Sequence, residues 1–231
     1  MIKPSAFLYL RWVGANALGE LIGLGATFAT GIGLFSGLAE SPGLLPTLLT
    51  AALMTASGVI EGGVVGWLQW LVLRGPFAMV TRRVWVRATI LGAVVAWALG
   101  AVTMVIGSLS ASSSEQPMQE PDPTFMVVME VSMGLAAGLI LAFPQWRVLR
   151  GMVPKAWVWL PANSLAWGLG MPLIFAGIDQ AMAAGSPWVG VALFALHLLL
   201  TGALAGAVHG LALVWLHSRS HLRSNIPLRP A

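Results

Sequence analysis

Cysteine is absent from the 231 residues, which excludes a disulfide framework, a thiolate metal site and a thiol nucleophile. Charge is nearly as scarce: 9% of residues are charged, against about 25% in a soluble globular domain. The metalloprotease helix H-E-x2-H, the P-loop and the glycine-rich nucleotide fingerprint are also missing, so hydrolytic zinc chemistry and nucleotide chemistry lack their usual carriers. The chain therefore reads as no enzyme. What it has instead is apolar length. Hydrophobic residues make up 58% and the mean hydropathy is +0.85, the composition of a single integral membrane domain over 1–231.

Six apolar segments stand out: Trp12 to Leu38, Leu45 to Leu73, Val86 to Leu109, Phe125 to Phe143, Trp157 to Ile178 and Trp188 to Leu216. Each has the roughly 20 residues needed to cross a bilayer core. The first is too long for a signal-peptide core and is expected to be a span. Pro144, Pro161 and Pro172 fall in or near spans, so the fourth and fifth helices are the expected places for kinks. The expected class is thus an all-α membrane protein with six transmembrane helices.

The charges orient these spans. Lys3 and Arg11 precede the first; Arg74, Arg82, Arg83 and Arg87 join the second to the third; Arg147, Arg150 and Lys155 join the fourth to the fifth; Arg219, Arg223 and Arg229 follow the sixth. The alternate connections carry only Glu40, then Glu115, Glu120 and Asp122, then Asp179. Lys and Arg mark cytoplasmic ends of membrane helices. Both termini are therefore expected in the cytoplasm, with residues 217–231 as a cytoplasmic tail. The pI near 10.7 follows from this topology and implies no nucleic-acid partner.

The chain also repeats itself. Gly58, Gly62 and Gly66 recur every fourth residue ahead of Gln69, Trp70 and Arg74; Gly134, Gly138 and Ala142 precede Gln145, Trp146 and Arg150; Gly202, Gly206 and Gly210 precede Trp215. Four-residue spacing puts each row on one helix face, where a second backbone can approach closely. Trp12, Trp85 and Trp159 begin a second recurring pattern, W-x2-A-[NT]-x-L-[GA]. The unit is a helix pair used three times, over about 12–74, 85–150 and 157–216. Parallel repeats of this kind predict a pseudo-threefold arrangement about the membrane normal. Together the motifs resemble a group of bacterial multi-pass membrane proteins with tandem QW-x-VLR repeats. That resemblance implies the fold and a bacterial inner-membrane location, and supplies no chemistry. Leu213 takes the glutamine position in the third copy, where the VLRG ending is lost.

Few residues within the spans can carry chemistry. Glu20, Glu61 and Glu130 lie inside apolar segments with no Lys or Arg at matching depth. A charge at mid-membrane costs a few kcal/mol or more. Each must then be protonated, hydrogen-bonded inside the bundle, or in a wet cavity. The positions equivalent to Glu61 are Ala137 and Ala205, so this acid breaks the repeat. His197 and His209 share the sixth segment about 18 Å apart along it, too far to hold one metal together. Ala205 one turn before His209 leaves space for a flat pigment ring, and a hydrogen-bonded structural histidine is the alternative. No metal site is expected. Gln69, Trp70, Gln145 and Trp146 read as interfacial anchors, with the indoles at headgroup level. Trp97 and Trp167 lie deeper and could face a lipid tail or ring. A six-span chain with serine and histidine invites comparison with rhomboid proteases, but Ser36-Gly37 and Ser57-Gly58 lack the glycine two residues before the serine.

Two functions are compatible with this sequence. In one, the chain is a non-catalytic accessory or scaffold subunit whose glycine rows and tryptophans pack against other helices, lipid or pigment and stabilise a larger membrane complex with other subunits. In the other, it is a small proton- or cation-coupled transporter or channel using Glu61, with Glu20 or His197 as further candidates on the path.

Overall fold

The computed structural model describes residues 4–31, 43–113 and 122–224. All regular structure there is helical. Helix α1 covers Pro4–Gly19, passes through a π-helical turn at Glu20–Leu24 and continues over 25–31. It is followed by α2 (Leu44–Leu73), α3 (Arg82–Ser113), α4 (Pro123–Leu149), a 3-10 turn at Ala156–Val158, α5 (Trp159–Ala183) and α6 (Pro187–Ser224). Helices α2 to α6 are each long and apolar enough to cross a membrane. Residues 32–38 of the expected first span lie outside the described residues, as do Glu40, Glu115, Glu120 and tail residues 225–231. The tail expected from residue 217 begins as helix, since α6 runs on to Ser224.

Local chemistry sets several helix ends. Asp122 caps α4, its carboxylate accepting the Thr124 N–H at 2.7 Å and the Phe125 N–H at 3.4 Å, while Pro123 occupies the first helical position, where no amide donor is needed. These backbone bonds hold the Asp122 carboxyl below its ordinary pKa. Pro144 and Pro172 lie inside α4 and α5 without ending either helix.

Each helix packs on its neighbours in chain order, and α6 returns to α1, so the six form a closed ring. Apolar matching drives little of this in a bilayer, where lipid is as apolar as leucine; close packing and polar bonds between helices matter more. The glycine rows provide the close packing. Gly58, Gly62 and Gly66 of α2 lie against α3, Gly134 and Gly138 of α4 against α5, and Gly202, Gly206 and Gly210 of α6 against α1. At Gly62 the fit is tight enough that a Cβ would come within 2.6 Å of the Ile90 Cα. These rows are thus used for helix packing inside the chain.

At the end of the ring where α2, α4 and α6 finish, Trp12, Trp85 and Trp159 are fully buried. Trp159 meets Trp12 edge-on at 5.9 Å and Trp85 at 6.3 Å between centroids, and Leu73, Leu149, Leu213 and Leu216 pack around them. A second, smaller cluster of Leu24, Trp167, Ile174 and Leu198, flanked by Phe28, Trp97 and Phe194, fills the ring further along.

Candidate functional site

Between the two apolar clusters lies a polar layer. Each of the three buried tryptophans donates its indole N–H to the helix that precedes it around the ring. Trp85 donates to Gln69 Oε1 at 3.1 Å, Trp159 to Gln145 Oε1 at 3.0 Å and Trp12 to His209 Nδ1 at 2.8 Å. One turn after each tryptophan, Asn16, Thr89 and Asn163 bond back to its carbonyl oxygen. The glutamine amides then link across the ring. Gln69 Nε2 donates to Asn16 Oδ1 at 2.8 Å, while Gln145 Nε2 reaches Thr89 Oγ1 at 3.0 Å and Gln69 Oε1 at 3.2 Å.

His209 explains the irregular third copy. Leu213 stands where a glutamine would accept from Trp12, and it is fully buried in the apolar cluster. The acceptor is supplied instead by His209, one helical turn earlier. Accepting at Nδ1 fixes the neutral ring with its proton on Nε2. The ring is wedged against Trp12 and Trp159, at 5.6 and 5.4 Å between centroids.

Above this layer is a cavity of about 20 Å³, room for roughly one water molecule. The expected candidates separate here. Glu20, Glu61 and His209 all line it, together with Gln69, Gln145 and Asn163. Glu61 is 6% exposed, and its Oε2 accepts the Trp97 N–H at 2.6 Å. Glu20 is 3% exposed, and its Oε2 has no hydrogen-bond partner among the described residues. Glu20 opens the π turn, which packs on α2: a Cβ on Gly23 would lie 3.2 Å from the Glu61 Cα. Single π turns widen a helix by one residue and concentrate at functional sites.

The other candidates lie elsewhere. His197 is half-buried, with Nδ1 at 2.8 Å from the Leu193 carbonyl oxygen and Nε2 at 3.4 Å from Gln180. Glu130 is half-buried on α4, away from the cavity. Gln69 and Gln145, expected as interfacial anchors, are 5% and 4% exposed and belong to the polar layer. Their neighbours Trp70 and Trp146 are half-buried and sit under the Arg74 and Arg150 guanidinium groups at 5.8 and 5.3 Å. Trp167 is buried in the second apolar cluster, and Trp97, half-buried, packs against it. Ala205, expected to leave space for a pigment ring beside His209, is 2% exposed, and the adjoining cavity is about 20 Å³.

Sequence reasoning missed the tryptophan-to-glutamine bonds and the substitution of His209 for a glutamine. One signal was present: the third copy loses its glutamine and gains a histidine one turn away. Among the described residues no group of three or more His, Asp or Glu could hold a metal ion. The chemistry that these residues can perform is binding and release of a proton or a small cation by paired carboxyl groups. No protein-family model, curated protein or solved structure matches the chain.

Proposed function

We propose that the chain is a non-catalytic membrane protein of six spans, with both termini cytoplasmic, that acts as a small proton- or cation-coupled transporter or channel through Glu20 and Glu61. It is read as a protein of the bacterial inner membrane, built from three tandem helix pairs about a pseudo-threefold axis. The cyclic recurrence of the glycine contacts and of the tryptophan bonds supports that architecture. One observation carries the function: a buried carboxyl oxygen of Glu20 that has no partner among the described residues, on a cavity shared with Glu61 and lined, among those residues, by no Lys or Arg. Buried ionisable groups in membrane helices mark ion and proton pathways.

The test is proton flux into proteoliposomes that contain a pH-sensitive dye, driven by a potassium diffusion potential. The parent protein is expected to acidify the lumen faster than empty liposomes, and Glu61→Gln and Glu20→Gln to abolish the difference. Flux equal to that of empty liposomes, under both proton and sodium gradients, defeats the reading.

A specific observation favours the accessory-subunit reading as second. The first turns of α4 are exposed on every side, with Phe125, Met126, Val127, Val128 and Met129 all uncovered. A methionine-bearing helix end of this kind suits an adaptable contact with another membrane helix. Purification in mild detergent with mass spectrometry of what co-elutes tests it: stoichiometric membrane subunits support it, and elution alone removes it.

A further inference from the structure

We infer that the ligand of the central cavity is one proton held between the carboxyl groups of Glu20 and Glu61, and not an alkali cation. The inference rests on the proposed function, whose site it specifies.

Hydrogen bonds already occupy most of the oxygens that could bind a cation. Gln69 Oε1 accepts two donors, from Trp85 and Gln145. Gln145 Oε1 accepts from Trp159, Asn16 Oδ1 from Gln69, and Glu61 Oε2 from Trp97. The Glu20 carboxyl, Glu61 Oε1 and Asn163 Oδ1 are the side-chain acceptors left over among the described residues. Hard cations take about six oxygen ligands, more than these side chains offer. Space argues the same way, since about 20 Å³ admits one water and not a hydrated ion.

The charges around the site fit a single proton. Glu20 comes from α1, Glu61 from α2 and His209 from α6; α3, α4 and α5 contribute Thr89, Gln145 and Asn163, which do not titrate. His209 is occupied at Nδ1 by the Trp12 N–H, so that nitrogen is not the base. Two carboxylates at close quarters without a cation repel, and sharing one proton relieves this. The step balances simply: a carboxylate takes a proton from hydronium, leaving a carboxylic acid and one water, for which the cavity has room.

The experiment is infrared spectroscopy of the purified full-length protein in lipid nanodiscs at neutral pH. The expected result is one buried carboxylic-acid C=O band per chain that shifts in D2O. The band moves in Glu20→Gln and in Glu61→Gln, disappears in the double variant, and is the same in sodium chloride as in choline chloride. Glutamine retains an acceptor for Trp97, and the unfolding midpoint of each variant is recorded alongside. If the variants fail to fold, the wild-type band, its isotope shift and its indifference to sodium still decide. Absence of the band, a band that sodium removes, or a band unmoved by both single substitutions overturns the inference. Flux separates the two proposals: a shared proton without flux defeats the transport reading alone, and flux without the band defeats this one alone.

Discussion

Replacing Gln145 with leucine tests whether the polar layer locks the bundle. The change leaves the Trp159 N–H buried without an acceptor and deletes the bonds from Gln145 to Thr89 and Gln69. An orphaned buried donor costs about 1–3 kcal/mol, and side-chain hydrogen bonds between membrane helices average about 0.6 kcal/mol each. The expected destabilisation is therefore about 2–4 kcal/mol, read as a shift in reversible unfolding in mixed micelles. The chain already contains the remedy, since Leu213 occupies the equivalent position on α6 and His209, one turn earlier, accepts from Trp12. Leu141 is the residue one turn before Gln145 and lines the same cavity as His209. Adding Leu141→His to Gln145→Leu should thus restore about 1 kcal/mol or more. A Gln145→Leu protein within about 0.5 kcal/mol of the parent, the range of an ordinary surface change, refutes the reasoning. So does a double variant no more stable than the single one.

Gly62→Ala should destabilise by about 1–3 kcal/mol, because its Cβ would stand 2.6 Å from the Ile90 Cα. Gly63→Ala, with nothing within 4 Å, should be neutral or stabilise by up to about 1 kcal/mol through helix propensity; the same unfolding assay compares them. Trp97→Phe removes the N–H donated to Glu61 and should move the carboxylic-acid infrared band while sparing the apolar contact with Phe28. For Asp122 the folded pKa is lowered, so its cap on α4 is fully present above the ordinary aspartate range and lost as pH falls through the lowered value. Amide exchange at Thr124 and Phe125 should quicken over that acid window, and Asp122→Ala should remove the dependence.

Helix placement was legible because apolar length depends on composition alone. The segment expected over Leu45 to Leu73 is found as Leu44–Leu73. The centre was much less legible. Its bonds join residues far apart in the chain, 53 positions from Gln69 to Asn16 and 197 from Trp12 to His209, and periodicity names a face without naming its partner. The adjacent Gln69 and Trp70 show why the pair misled. Neighbours on a helix point about 100° apart, so the glutamine enters the core while the tryptophan stays near the surface beneath Arg74. Reading the two as one interfacial unit merged residues that face different surroundings. Glu61 was legible as interior because an isolated acid in a long apolar run has nowhere else to go. Its companion Glu20 was a candidate beside His197, and the π turn that sets α1 against α2 is what places it, and not His197, on the Glu61 cavity.

The contact between α6 and α1 has a consequence for how the protein is made. Trp12 finds its acceptor 197 residues later in the chain, and at about 5–20 residues per second the ribosome needs roughly 10–40 s to reach it. For that interval the first helix waits in or at the bilayer with its indole and its glycine-facing surface uncovered. Helix α6 is the one that covers it. Nascent chains stalled before α6 should therefore be open to membrane proteases and chaperones in a way the finished ring is not, which makes ring closure a checkpoint on synthesis.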